Sequence, residues 1–477
     1  MRLLEWAEPA AGSRVPPSIS LDDLLAATGG RLLQPTATTS FAGAAVDSRQ
    51  VRPGCLFVAL RGERVDGHAF LAEALDNGAA AGLVERPVDV TGHDAALIQV
   101  SDSVAALQEL AAWWRSRSAV RVVGITGSTG KTLAKEIVAD VLSRTRTVLR
   151  NEGNLNSETG LPMTLLELER RHEVAVLEMS MYTEGEIARL AEIARPEVGV
   201  VLAVHPTHLE RAGSIEAIAR AKSELPQALP RDGLAVLNAD DSRVAAMASV
   251  TSAAVRTYGL SEDAEVRALD VVSRGLEGTE FTLLAPWAER RLRIGMPGRH
   301  LIGHALAAAA VAERFAVPLD EVEAALAAGS HADHRMAVTE AASGAIVVDD
   351  SYNASPVSVA AALEFLTETP VTGTGRRLAV LGDMLELGPD EERLHREIGT
   401  LAAGVVDALL AVGPRGAWIA DAARAAGLAR VSTVDDVDEG IAAVDRALGP
   451  GPSDVLLVKG SRGVELDRLV AALEAGR

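Results

Sequence analysis

Cysteine is nearly missing from this chain: Cys55 stands alone among 477 residues. A single thiol rules out an internal disulfide and suits a reducing compartment. Basic residues are also short, with 46 Lys and Arg against 66 Asp and Glu, a formal charge of −20. General nucleic-acid and membrane-surface binders need a basic face, so both classes are disfavoured. A small anion needs only a local positive pocket and stays open. No stretch reaches the roughly 18 consecutive apolar residues of a spanning helix. The opening MRLLEWAEPAAGSRVPPSIS carries neither an apolar h-region nor a cleavage pattern. Tandem repeats and long low-complexity tracts are missing too. These absences predict a soluble cytoplasmic protein without membrane insertion.

What is present is material for buried cores. Hydrophobic residues make up 48% of the chain, and its length calls for several domains. Three blocks are expected, 1–118, 119–331 and 332–477. The first mixes strand-like runs such as CLFVAL (55–60) with helical AFLAEALDNGAAAG. The second holds VRVVGIT, EVAVLEM (173–179) and VGVVLAV (198–204), continuous apolar runs typical of parallel strands covered on both faces. It turns more β-like after about residue 260 and then helical through GHALAAAAVAERF (303–315). In the third block AIVVDD, RLAVLGD, DALLAVG and DVLLVKG alternate with helices, predicting a second α/β sheet.

The stretch VVGITGSTGKTLAKEIVADVL (122–142) looks like a phosphate-binding loop but breaks the usual spacing, since Ile125 stands where the first Gly is expected. The physical needs are still met. A strand delivers Thr126-Gly127-Ser128-Thr129-Gly130-Lys131-Thr132, and the two glycines allow a tight turn. Leu133, Ile137, Val138, Val141 and Leu142 share one helix face, and the helix N-terminus directs free N–H groups at an anion. Lys131 then neutralises β/γ-phosphates and Thr132 ligates Mg²⁺.

Ligands of such sheets sit beyond the carboxyl ends of the strands. Glu178 and His208 follow two of these ends and suit a metal site; each also has a bland reading, as a backbone-held carboxylate and a surface imidazole. Lys222, taken alone, reads as an exposed helix lysine. IVVDDSYNASPVS (346–358) is either an Asx-rich turn opening a helix at Ser355-Pro356 or a carboxylate cluster for a ribose hydroxyl or an amine. Asp383, and Lys459 with Ser461 and Arg462, repeat the design of a strand followed by polar groups.

Taken together, TGSTGKT, NLNSETGLPMTLL, EMSMYTEGEI, HLERAGSIEAIARAKSEL, VVDDSYNASPVS, LGDMLELG and VKGSRG occur in the order seen in the Mur ligases. VDSRQVRPGCLFVALRGERVDGHAFLAEALDNGAA (46–80) resembles that family's N-terminal domain, so the resemblance covers nearly the whole chain. It implies an α/β fold of three domains: a central P-loop-type ATPase sheet flanked by a small UDP-sugar-binding N-terminal domain and a C-terminal Rossmann-like domain. It implies an ATP- and Mg²⁺-dependent ligase of peptidoglycan synthesis. The motifs match best the members that take UDP-N-acetylmuramoyl-tripeptide and D-alanyl-D-alanine, with no nucleic-acid partner and a monomeric state. By resemblance, Ser48 and Arg49 contact the UDP-sugar, and residues 126–132, His304, Arg335 and Asp350 contact ATP. Thr132, Glu178, His208 and a carbamoylated Lys222 serve the metal. Lys131, Glu178, His208 and Lys222 carry catalysis, and Asn156, Ser157 and Asn353 face the peptide substrates.

Four positions depart from the family pattern. Ser157, Ala203, His304 and Ser355 stand where Asn is usual, which points to altered adenine contacts or a shifted acceptor preference. Competing expectations are a Mur-type ligase with another acceptor and a non-catalytic nucleotide-binding homologue.

Overall fold

The computed structural model describes residues 18–62, 65–206, 209–330, 332 and 334–476. The chain folds into two compact units. The smaller holds the residues up to Gly124 with Arg146–Ser180 and Glu186–Pro196; the larger holds Ile125–Thr145, Met181–Gly185 and the chain from Glu197 onward. The division falls inside the strand Arg121–Thr126.

In the smaller unit a five-stranded sheet runs in the order Arg31–Leu32, Ala96–Gln99, Ala81–Val84, Leu56–Val58, Ala44–Ala45. Its first pair is antiparallel and the others are parallel. Phe57, Leu71, Ala74, Val84 and Leu97 form its core. The expected long helix after Ala69 is only Leu71–Asp76. Gly78, at φ 102°, turns the chain, and the small buried residues that follow enter the strand Ala81–Val84. Elsewhere in this unit Val148–Arg150 pairs in parallel with Val174–Glu178.

The larger unit contains two sheet systems. In the first, Val198–Val201, Leu234–Asn238, Ala254–Gly259 and Val266–Ser273 are joined in parallel, and Thr279–Ala285 and Ala288–Ile294 extend them antiparallel. The expected strand 198–204 ends its ladder at Val201, because side chains and a loop take over the next backbone groups. Asn238 Nδ2 donates to Leu202 O at 2.8 Å, and Val204 N donates to Asp241 Oδ2 at 2.7 Å. Ser128 N donates to Ala203 O at 2.8 Å.

The second sheet runs Ala337–Glu340, Ile346–Asp350, Val455–Lys459, Arg377–Gly382, Ala408–Val412, Val431–Val434, parallel except for the first strand. Alternate residues feed opposite faces. Val348, Ala379, Leu381 and Leu457 lie in one core, and Val347, Leu378, Val380 and Leu456 in the other. Burial on both faces is why these strands read as unbroken apolar runs. The α/β expectation holds for each sheet. The two edge strands, Ala337–Glu340 and Val431–Val434, were not foreseen; both are polar and only partly buried.

Candidate functional site

The strand Arg121–Thr126 delivers the chain to the loop, and the helix Lys131–Ser143 begins where Gly130 caps it. Its buried face contains Leu133, Ala134, Ile137, Val138, Val141 and Leu142, the stripe expected from helical spacing. Thr126 is fully buried, and its carbonyl accepts from Leu202 N at 3.0 Å. The glycines have separate reasons. A Cβ on Gly127 would lie 2.9 Å from Leu202 Cβ, which cannot swing away. Gly130 has φ +77°, and a Cβ there would collide with the His304 imidazole.

Ser128 ties the loop to the next strand end. Its hydroxyl donates to His205 O at 3.0 Å and accepts from His205 N at 2.9 Å. Ala203 contributes only its carbonyl here, so the change from the family residue leaves this tie intact. Lys131 Nζ donates to Gly127 O at 2.9 Å, folding the ammonium over the loop. Thr129 and Thr132 complete the turn and the first helical residues.

His304, in the helix Ile302–Arg314, places Nε2 3.1 Å from Gly130 O. The surrounding protein desolvates the ring and pushes its pKa down to about 4. A neutral imidazole bound to the peptide before Lys131 fixes the loop where its cation leaves.

Lys222 corrects the expectation of an exposed lysine, for it is 3% exposed. Burial, and then the charge of Lys131, hold its ammonium well below the usual lysine range. The signal was there: Ile218, Ala221, Lys222 and Leu225 are all buried in the helix Ile215–Gln227, on one face at helical spacing.

At the sheet of residues 337–459, Asp350 and Lys459 end adjacent strands in direct register. Lys459, 2% exposed, donates to Asp350 Oδ2 at 2.5 Å and to Asn353 O at 2.9 Å. Asn353 is exposed, and its Oδ1 accepts from Ala354 N at 2.9 Å. The turn then opens the helix Pro356–Glu368 through a capping box of Ser355 and Ser358, so Ser355 works as a helix cap. Arg335 lies against the Tyr352 ring, 4.3 Å from its centre. His334 and Met336 on either side have φ of 58° and 51°, backbone that non-glycine residues seldom adopt.

Two other strand-end groups are structural. Asp383 accepts from Arg415 N at 2.9 Å and Gly416 N at 2.8 Å, holding the start of the helix Gly416–Ala425. Ser461 Oγ accepts from Leu385 N at 2.9 Å.

In the smaller unit Glu178 is buried at the end of its strand, and Asn156 Nδ2 donates to its Oε1 at 2.7 Å. Asn151, a residue the sequence reading missed, is fully buried, donating to Leu155 O at 2.8 Å and accepting from Glu178 N at 3.0 Å. Its place directly after the strand Val148–Arg150 was the available clue. Ser157 Oγ accepts from Gly160 N at 3.3 Å near the helix Gly160–Leu165. Ser48 is buried and its carbonyl accepts from Asn77 Nδ2 at 2.9 Å, while Arg49 is exposed and paired with Asp47 at 2.7 Å. His208 lies outside the described residues. Among the described residues no group of three His, Cys, Asp or Glu forms a metal cage. The Glu178 carboxylate taken by itself is an oxygen donor of the kind Mg²⁺ accepts. No helix among the described residues is long and apolar enough to cross a membrane.

Three family profiles match successive parts of the chain: "Mur ligase family, catalytic domain" over residues 41–115, "Mur ligase middle domain" over 125–312, and "Mur ligase, glutamate ligase domain" over 334–462. The UDP-N-acetylmuramoyl-tripeptide–D-alanyl-D-alanine ligase of Escherichia coli K12 is 37% identical over 433 residues, 90% of this chain and 92% of that protein. The crystal structure of MurF from Acinetobacter baumannii superposes with a TM-score of 0.84 at 31% identity, covering 96% of this chain and 99% of the other. MurF from Thermotoga maritima, in complex with ADP, gives 0.77 at 30% identity over 91% and 97% of the two chains.

Proposed function

The chain belongs to the Mur ligase family, and from that membership we propose that it joins D-alanyl-D-alanine to UDP-N-acetylmuramoyl-tripeptide in peptidoglycan precursor synthesis. The observation that carries this reading is the 37% identity to a ligase of that activity, sustained across 90% of the chain. We assign residues 1–118 to the UDP-sugar, 119–331 to ATP and 332–477 to the C-terminal domain, and place the protein in the cytoplasm as a monomer.

A carboxylate is a poor electrophile, so ATP converts the terminal carboxylate of the tripeptide into an acyl phosphate. The dipeptide amine then attacks the acyl carbon and phosphate leaves. Lys131, already turned over the loop by its bond to Gly127 O, offsets the repulsion between phosphate and carboxylate. The free N–H groups of its helix add to that effect. Mg²⁺ supplies further charge neutralisation when bound; we assign contacts to it, residue by residue, to Thr132, Glu178, His208 and carbamoylated Lys222. The buried, desolvated amine of Lys222 supports that assignment, since the neutral amine is the form that takes up carbon dioxide. Thr126, Gly127, Ser128, Thr129, Gly130, His304, Arg335 and Asp350 are assigned to ATP. Ser48 and Arg49 are assigned to the UDP-sugar, and Asn156, Ser157 and Asn353 to the peptide substrates.

The test is phosphate release from ATP-Mg²⁺ with each substrate omitted in turn. Release that requires both, with a product heavier by the dipeptide and lost in Lys131→Ala, is expected. ATP binding without acceptor-dependent release would overturn the reading in favour of a non-catalytic homologue.

A further inference from the structure

Tyr352 gathers two arginines, Arg335 and Arg462, that have no acidic partner among the described residues. The Arg335 guanidinium lies 4.3 Å from the centre of its ring and that of Arg462 5.0 Å. Arg462 Nη1 also donates to the Tyr352 hydroxyl at 2.7 Å. Among the described residues neither guanidinium forms an ion pair with a carboxylate. The two carboxylates that precede Tyr352, Asp349 and Asp350, are already engaged. Asp350 is taken by Lys459 at 2.5 Å. Asp349 is taken by His334 Nδ1 at 2.7 Å and by the Ser351 hydroxyl at 2.6 Å. In a chain of charge −20, this is a built excess of positive charge.

The two arginines differ in place. Arg335 is half-buried, and its charge is felt by His304, which bonds the phosphate loop at Gly130 O; it belongs on the nucleotide side. Arg462 is exposed and follows the strand Val455–Lys459, next to the turn that carries Asn353. Because Asn353 Oδ1 is spent on Ala354 N, its amide donor is the group left to offer. A dipeptide with a free amine at one end presents a single carboxylate at the other, and a planar guanidinium matches a carboxylate with two parallel hydrogen bonds.

We propose that Arg462, oriented by Tyr352, receives the C-terminal carboxylate of the incoming dipeptide and so sets its direction in the site. The inference rests on the ligase reading above. Arg462 is then a binding residue, and Tyr352 a positioning residue that holds the guanidinium in one orientation before the substrate arrives.

The experiment compares D-alanyl-D-alanine with D-alanyl-D-alaninamide, whose terminus is uncharged, in steady-state phosphate release. The wild type should show a KM about 10–100-fold higher for the amide, the range of one charge-assisted hydrogen-bonded contact. Arg462→Ala should raise KM for the dipeptide by a similar factor, leave KM for ATP unchanged and no longer distinguish the two acceptors. Arg462→Lys, which keeps the charge but not the fork, should fall between. Tyr352→Phe should raise the dipeptide KM a few-fold with little change in kcat. If Arg462→Ala retains dipeptide-dependent release and still discriminates as the wild type does, the carboxylate is held elsewhere and the proposal falls while the ligase reading stands. A change confined to KM for ATP also overturns it, placing Arg462 with the nucleotide. A wild type that releases phosphate with neither acceptor overturns both.

Discussion

Gly130→Ala is the substitution whose effect can be worked out most fully. Gly130 sits at φ +77°, and left-handed backbone costs an L-residue about 1–2 kcal/mol. Its new Cβ also collides with the His304 ring, so the imidazole must withdraw and its 3.1 Å contact with Gly130 O is broken. A hydrogen bond of that kind contributes about 0.5–1.5 kcal/mol net. The sum is about 1.5–3.5 kcal/mol, and if all of it falls on nucleotide affinity the loss is about 10–300-fold. His304→Ala removes the collision and the hydrogen bond together. In that background Gly130→Ala meets only the backbone term, so the two substitutions should be non-additive by about 1 kcal/mol. Titration calorimetry of ADP on the wild type, both single variants and the double variant gives the full cycle. Affinity of Gly130→Ala within twofold of the wild type, or strict additivity, would refute the contact between His304 and the loop as the reason for the glycine.

Three further outcomes are expected. The imidazole of His304 has its pKa pushed down to about 4 by desolvation, against about 6.5 for a free histidine; between those values the unfolded chain binds a proton that the folded one refuses, so stability falls as pH drops from about 6.5 toward 4. His304→Gln should therefore flatten the decline of Tm across that window, and equal slopes for the two proteins would count against it. Asp383→Ala leaves Arg415 N and Gly416 N without their acceptor, a loss of about 1–3 kcal/mol in a denaturant melt, with KM for all substrates unchanged; a selective rise in one KM would return Asp383 to the site. Lys222 is buried with its ammonium disfavoured, so ¹³C-bicarbonate should give a carbamate resonance that Lys222→Gln lacks, and its presence in the variant would assign the modification to another lysine.

How much of this was legible in the chain depends on what a run of residues can encode. A buried parallel strand declares itself by unbroken apolar text, and the residue that ends it lies at the rim where ligands bind. Glu178, Asp383, Lys459 and the acidic cluster of IVVDDSYNASPVS were found that way. Which of them faces a ligand was not legible, because the deciding partner is far away in sequence. Asp383 is spent on backbone N–H groups at 415 and 416, and Lys459 on a carboxylate 109 residues earlier. Lys222 shows the converse: its position on the apolar face of its helix was visible, but a lysine there ordinarily snorkels to water, and only packing shows that this one is buried. Tyr352 was hidden for a third reason. Its ring acts through guanidiniums at 335 and 462, and no periodicity in the sequence joins those two positions. Helical and strand spacing thus identify the polar groups placed at a rim, whereas the pairing of those groups across strands decides which of them are left to meet a substrate.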